Sequence, residues 1–221
     1  MKTCLLLPAY NVSRTLKRVI REANLLIGDI IVVDDGSRDK TSQIALACGA
    51  VVLKHPQNCG KGMALRTGFD YAIRAGYQLI FTMDSDGQHN PRDLPRFLDR
   101  FRQTKPDILI GGRIENRSSM PLHRQLNNKL ISTVGSALCG QHVPDFQSGY
   151  RLIKADVLKA VSLNTERYET ESELLIKAGR LGYRIESIPI RAVYGDEISN
   201  IKPFREMRLF TKLLIASFRH S

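Results

Sequence analysis

The sequence predicts an α/β fold with a mainly parallel central sheet flanked by helices, and three observations carry that reading. Short runs rich in Leu, Ile and Val recur through the first half of the chain, each ending in turn chemistry. Segments of helical spacing separate them, as the crossovers between parallel strands require. The 221 residues, 43% hydrophobic and 25% charged, suit one folded domain with a short C-terminal extension.

Taken in order, the first strand lies in "CLLLPAYN" (Cys4–Asn11), followed by a helix over Ser13–Leu26. The second, "DIIVVDDGS" (Asp29–Ser37), leads into a helix over Thr41–Ala47, and Ser13 and Asp39 or Thr41 are the expected N-caps. A weaker run, Ala50–His55, counts as the third strand and precedes a helix over Lys61–Ala75. "YQLIFTMDSDG" (Tyr77–Gly87) is the fourth strand, Pro91–Gln103 the next helix and "DILIGGR" (Asp107–Arg113) the fifth strand. The pattern then loosens. A loop leads to a helix from about His123 to Leu138, and "DFQSGYRLIKADVLKAV" gives a loop, a short strand and a helix. A further helix ends at Gly182, and a strand follows from Arg184 to Tyr194. The expected organisation is one domain over residues 1–200 and a basic amphipathic helix over 201–221.

A formal charge of +11 and a pI of about 9.7 imply an anionic partner: nucleic acid, phosphorylated small molecules or anionic lipid. Aromatic content of 7%, with no RNP-like or helix-turn-helix signature, argues against nucleic acid. Four cysteines without CxxC or Cys/His spacing read as core thiols in a reducing compartment. No stretch approaches the ~18 uninterrupted apolar residues of a membrane span, and the first residues lack a secretory h-region. The expected location is cytoplasmic.

In a mainly parallel sheet, ligands sit beyond the carboxyl ends of the strands. Tyr10 and Asn11, Asp34 and Asp35, Asp84 and Asp86, and Arg113 all fall there, which predicts one shared crevice. Asp84 and Asp86 are placed on one side by strand alternation, and paired carboxylates repel unless a cation lies between them. Mg²⁺ or Mn²⁺ suits such oxygen ligands, with Gln88 or His89 as a further ligand; a solvated turn is the alternative. Asp35 can accept hydrogen bonds from a ribose or nucleobase, or cap a helix. Gly-Lys-Gly at residues 60–62, opening a helix, favours an anion, although the spacing is not that of a P-loop. The five histidines show no ligand spacing, and most of them are expected at surface or loop positions.

"PAYN", "VVDDGS", "GKGMALRTGF", "MDSDGQHNP", "GGR", "DFQSGYR" and "ETESELLIKAGRLGYRIESIPI" occur in an order that resembles the family 2 glycosyltransferases of GT-A (nucleotide-diphospho-sugar transferase) fold. Within them the chain is most similar to the dolichol-phosphate mannosyltransferase and polyprenyl-phosphate glycosyltransferase group, from about Leu5 to Phe210. The resemblance implies that Pro8, Ala9 and Tyr10, with Asp35 and Lys61, line the nucleotide pocket. It places Asp84, Asp86 and Gln88 on Mg²⁺ or Mn²⁺ at the donor diphosphate. Arg113 and Arg124 would face phosphate groups, and Gln147, Ser148 and Gly149 would border the sugar and acceptor. One departure stands out: the family often has Glu after "PAYN", and here it is Val12. A side-chain contact to base or ribose is thereby absent, and the base stays open.

An inverting displacement from a nucleotide-sugar such as GDP-mannose or a UDP-sugar fits these parts. A hydroxyl acceptor would need a base, for which Asp145 is the candidate; a polyprenyl phosphate would not, and Asp145 would then anchor its loop. The basic run Arg113, Arg117, Arg124 and Lys129 is a solvated face or an acceptor-phosphate clamp. The tail, Lys202–Arg219, is a docking helix or an interfacial helix on anionic lipid at the membrane face. Glu171 and Glu173 either reach the acceptor region or favour a helix start. The alternatives are a GT-A-like protein that only binds nucleotide, a transferase with a soluble hydroxyl acceptor, or a phosphatase with a nucleophilic Asp after its first strand. That last place is held here by Tyr10 and Asn11.

Overall fold

The computed structural model describes residues 1–113 and 122–190, with side chains omitted from the description over 122–127. Seven strands form one sheet in the order β3-β2-β1-β4-β6-β5-β7. They are β1 (Thr3–Ala9), β2 (Ile30–Asp34), β3 (Val51–Lys54), β4 (Leu79–Thr82), β5 (Ile108–Gly112), β6 (Arg151–Lys154) and β7 (Ile185–Pro189). Neighbours pair in parallel except at β6, which runs antiparallel between β4 and β5. The helices are α1 (Ser13–Asn24), α2 (Thr41–Ala47), α3 (Lys61–Arg74), α4 (Leu94–Thr104), α5 (Leu122–Cys139), α6 (Ala155–Ala160) and α7 (Glu169–Arg180).

Alternation along the strands builds two apolar layers. Leu6, Ile31, Val33, Ile80 and Ile153 face one layer with residues of α3, α6 and α7. Leu5, Leu7, Val32, Phe81 and Leu152 face the other, with α1 and α4. On α1, the i, i+3, i+4, i+7 set Leu16, Val19, Ile20 and Ala23 is buried. Each large member contributes about 1.5–3 kcal/mol relative to exposure. β3 reads weakly in sequence because it is the sheet's edge strand, with Val51 40% exposed.

Two expectations about elements need correction. Ser13 does not cap α1: Val12 holds the cap position without a side-chain bond. Asp39 does the capping, accepting from Ser13 N at 3.0 Å with one oxygen and from Thr41 N at 3.0 Å with the other. Although burial pushes its carboxyl up, the hydrogen bonds from Thr41 and Ser13 hold its pKa down at about 2. β4 stops at Thr82, so Asp84 and Asp86 stand in the turn beyond the strand and not on alternating strand positions. β7 ends at Pro189, and its expected continuation to Tyr194 lies outside the described residues, as do Arg117 and the tail over 201–221. Among the described residues, no helix is long and apolar enough to cross a membrane.

Candidate active site

β1 and β4 are adjacent parallel strands, so their carboxyl ends open side by side. Main-chain pairing continues one step past β4, with Met83 N donating to Leu6 O at 3.2 Å. The serine between the two aspartates then pins the turn. Ser85 is buried, its hydroxyl donates to Pro8 O at 2.7 Å, and its carbonyl accepts from the Thr15 hydroxyl at 2.8 Å. With Ser85 anchored inward, Asp84 and Asp86 are left half-exposed at the crevice. Gly87 closes the turn at φ +85°, and Asp86 Oδ1 accepts from Gln88 N at 2.9 Å.

Lys61 reaches this turn from α3. Its flanking glycines are required by close packing: a Cβ at Gly60 would lie 2.6 Å from Glu166 O, and one at Gly62 2.0 Å from Thr170 Oγ1. Gly60 also adopts φ +100°. The start of α3 therefore lies directly against the start of α7. Lys61 Nζ stands 2.5 Å from Asp84 Oδ1 and 3.0 Å from Glu171 Oε2. His89 Nε2 lies 3.3 Å from Asp84 Oδ2. Burial disfavours the charge on Lys61, but Asp84 and Glu171 raise its pKa and hold it protonated. Burial likewise opposes the Asp84 charge, and Lys61 and His89 nonetheless lower its pKa. Asp86 goes the other way, pushed up by burial and by the neighbouring Asp84.

The two aspartates ending β2 are taken up in shaping loops. Asp34 accepts from Ser37 N at 2.8 Å and from the Ser42 hydroxyl. Asp35, 2% exposed, accepts from Cys59 N at 2.9 Å and Gly60 N at 2.8 Å and pairs with His55 Nδ1 at 2.7 Å. His55 continues to Thr67 Oγ1 at 2.9 Å. Asp35 thus fixes the loop that delivers Lys61. Tyr10 is exposed where β1 ends, and Pro8 and Ala9 are buried beneath it. His55 lies in the loop after β3 and His89 is buried at 4% exposed, and both bond acidic side chains.

On the other side of the crevice, Arg113 leaves β5 and meets Asp145 in a bidentate pair: Nε to Oδ2 at 2.7 Å and Nη2 to Oδ1 at 2.9 Å. Arg113 N adds a third bond to Asp145 at 3.1 Å. Burial raises the Asp145 pKa, but the adjacent guanidinium outweighs it and the carboxyl is held below its usual range. Arg151, 1% exposed, donates to the carbonyls of Ser148 (2.8 Å), Phe146 (3.0 Å) and Glu171 (2.7 Å). That buried guanidinium ties the loop carrying Gln147 and Ser148 to the start of α7. Gln147 is half-buried and Ser148 buried. The Arg124 side chain lies outside the described residues.

The site therefore brings Lys61, Asp84 and His89 together with Glu171, and sets Arg113 on Asp145. Sequence reading missed Glu171 as the partner of Lys61, Ser85 as the pin and Arg151 as the tie. The only signal was composition, a buried-strand Arg in "GYRLI" and paired acids at a helix start. The donor set fits a hard divalent cation: Asp84 and Asp86 can supply carboxylate oxygens and Gln88 an amide oxygen. Gly149 leaves the room, because a Cβ there would come within 2.8 Å of both Asp84 oxygens. Asp35, His55 and Cys59 also converge within 4.8 Å, but the carboxylate and imidazole are already hydrogen-bonded to each other.

This fold is shared with solved structures. Glucosyl-3-phosphoglycerate synthase from Mycobacterium tuberculosis, in complex with Mn²⁺, UDP-glucose and phosphoglyceric acid, superposes with a TM-score of 0.73 at 21% identity. The superposition covers 98% of this chain and 78% of that one, a likeness of fold. The fold is the GT-A architecture of glycosyltransferases. The model of "Glycosyl transferase family 2" matches residues 4–162, and the chain belongs to that family. Its relatives include the UDP-N-acetylglucosamine–dolichyl-phosphate N-acetylglucosaminyltransferase of Methanococcus voltae, 33% identical over 87% of this chain and 86% of that protein. The undecaprenyl-phosphate mannosyltransferase of Micrococcus luteus is 31% identical over 87% of this chain and 84% of its own length.

Proposed function

We propose that the protein is an inverting, metal-dependent transferase that moves a sugar from a nucleotide-sugar onto a polyprenyl phosphate. The observation that carries the acceptor class is the Arg113–Asp145 pair. A hydroxyl acceptor needs a carboxylate free to take its proton. Asp145, the candidate, has both oxygens on Arg113 and is held ionised with its basicity reduced. An acceptor phosphate brings its own negative oxygen and needs only cations to hold it. The relatives named for dolichyl-phosphate and undecaprenyl-phosphate chemistry support the same class.

In this reading a phosphate oxygen of the acceptor attacks the anomeric carbon as its bond to the donor diphosphate breaks. The electron pair leaves with the nucleoside diphosphate, and one displacement inverts the centre. Arg113 faces the acceptor phosphate, held in orientation by Asp145, and Lys61 faces the leaving diphosphate. Asp84, Asp86 and Gln88 would hold Mg²⁺ or Mn²⁺, which supplies Lewis-acid stabilisation of the leaving oxygens. Pro8, Ala9 and Tyr10 border the nucleotide, with Asp35 acting through the loop it anchors. Gln147 and Ser148 border the sugar. The basic segment 201–221 would rest on anionic lipid at the cytoplasmic membrane face.

The test is transfer from GDP-mannose, UDP-glucose and UDP-GlcNAc to undecaprenyl phosphate and dolichyl phosphate, with the matching free alcohols as comparison. Product is expected with the phosphates and not with the alcohols. Transfer to an alcohol alone would sink the acceptor assignment. Nucleotide binding without transfer to any acceptor would favour a binding-only role.

A further inference from the structure

Asp84 already has a cation in contact. Lys61 Nζ occupies one of its oxygens at 2.5 Å and His89 Nε2 approaches the other at 3.3 Å. A divalent ion can take Asp84 as a ligand only by displacing or sharing one of these. His89 is the less free to leave: it is 4% exposed and its ring lies 5.3 Å from Tyr150, which stacks on Phe97 at 4.6 Å. Lys61 has a long flexible stem and a second carboxylate within reach, Glu171 Oε2 at 3.0 Å. Glu171 is fixed from behind by Arg151, which donates to its carbonyl at 2.7 Å.

We propose that Lys61 is a resident counter-cation of Asp84 that competes with the divalent ion, and that Glu171 positions the ammonium when Asp84 turns to the metal. This rests on the metal reading of Asp84 and Asp86. Asp84 and Glu171 contact the Lys61 ammonium, and Asp86 stands beside Asp84 in the same turn. Paired carboxylates suit a divalent ion, but the best-placed ligand is partly spoken for. An incoming diphosphate offers Lys61 a third anionic partner and frees Asp84. Metal and nucleotide then bind with positive coupling, each raising the affinity for the other. Lys61 becomes the element that keeps the metal weakly bound until a donor is present.

The experiment is a Mn²⁺ titration followed by electron paramagnetic resonance on the full chain, with and without UDP or GDP. Without nucleotide, Lys61→Met is expected to bind Mn²⁺ about tenfold tighter than the parent, as removal of a unit charge at contact distance implies. The enhancement of Mn²⁺ affinity by nucleotide should shrink in the same variant. Lys61→Arg, which keeps the charge, should stay near the parent. Glu171→Gln, which removes the second partner and leaves Lys61 on Asp84, should weaken nucleotide-free Mn²⁺ binding; it keeps the test alive if Lys61→Met does not fold. Arg74→Met controls for the general field, since Arg74 is exposed at the other end of α3 from Lys61. Unchanged Mn²⁺ affinity in Lys61→Met, or equal tightening in Arg74→Met, overturns the proposal while nucleotide-dependent Mn²⁺ binding by the parent leaves the metal reading standing. No Mn²⁺ binding by the parent, even with nucleotide, overturns the metal reading itself.

Discussion

Replacing Gly149 by alanine adds one methyl group beside Asp84 and changes nothing else in the crevice. Gly149 does not have a left-handed φ, so its backbone accepts alanine. The new Cβ would stand 2.8 Å from both Asp84 oxygens and 3.0 Å from its Cγ, against an ordinary contact of at least 3.4 Å. Asp84 would have to retreat by about 0.6 Å, while Lys61 at 2.5 Å and His89 at 3.3 Å hold it in place. Overpacking of this kind costs about 1–3 kcal/mol of stability. Displacing a ligand by a sizeable fraction of an ångström lowers turnover by up to roughly 10²-fold. The assay pairs chemical denaturation with thermal stabilisation by Mn²⁺ plus UDP or GDP, and with sugar transfer. Gly28→Ala is the comparison, because nothing lies within 4 Å of its Cβ and its stability should change by less than about 0.5 kcal/mol. Gly149→Ala with parental stability and parental nucleotide response would refute the placement of Asp84 against this glycine.

Two further outcomes follow from the charged pairs. Asp145→Asn leaves the Arg113 guanidinium without its carboxylate and should cost about 3–5 kcal/mol at neutral pH, read by urea denaturation. Because the folded pKa of Asp145 is depressed, its stabilisation is present above the unfolded value of about 3.9 and is lost as pH falls below it. The difference between parent and variant should therefore narrow below about pH 4, and a difference that widens there would contradict the pairing. Asp35→Asn places an amide where Cys59 N and Gly60 N both donate, leaving one buried donor unpaired at about 1–3 kcal/mol. Weaker nucleotide response should accompany that loss, and full stability with selectively weakened nucleotide binding would instead make Asp35 a direct ligand.

Much of the fold was legible because its strands are short, fully buried and separated by helices of matching period. The first five strands and their crossovers lie within a few residues of their sequence positions. What could not be read was the place of β6: a four-residue run carries no sign that it enters between β4 and β5 in reverse. The same limit hid half of the site. Lys61 and Glu171 are 110 residues apart, and the packing of Gly60 and Gly62 against residues 166–170, with the Met63 N to Glu166 O bond, joins them. Asp35 was visible as an acid at a strand end, but nothing local distinguishes a carboxylate that meets a ligand from one consumed by two main-chain amides. Ser85 lay unnoticed between its conspicuous neighbours for the opposite reason, being the residue that faces inward.

The reversed strand also bears on how the chain reaches this structure. β1, β2, β3 and β4 pair with one another within the first 82 residues, and only the outer edge of β4 waits for β6, so that half-sheet can begin to assemble as soon as it is made. β5 cannot join it. Its partners are β6 and β7, which begin at Arg151 and Ile185, so Ile108, Leu109 and Ile110 wait for residues synthesised 40 or more positions later. During that interval a fully apolar strand has no hydrogen-bonding neighbour, the condition under which nascent chains associate with one another. Expression trials that truncate the chain before residue 151 should yield insoluble product even though the first four strands are complete. A helper that shelters the 108–112 segment on the ribosome would raise the soluble yield of the full chain.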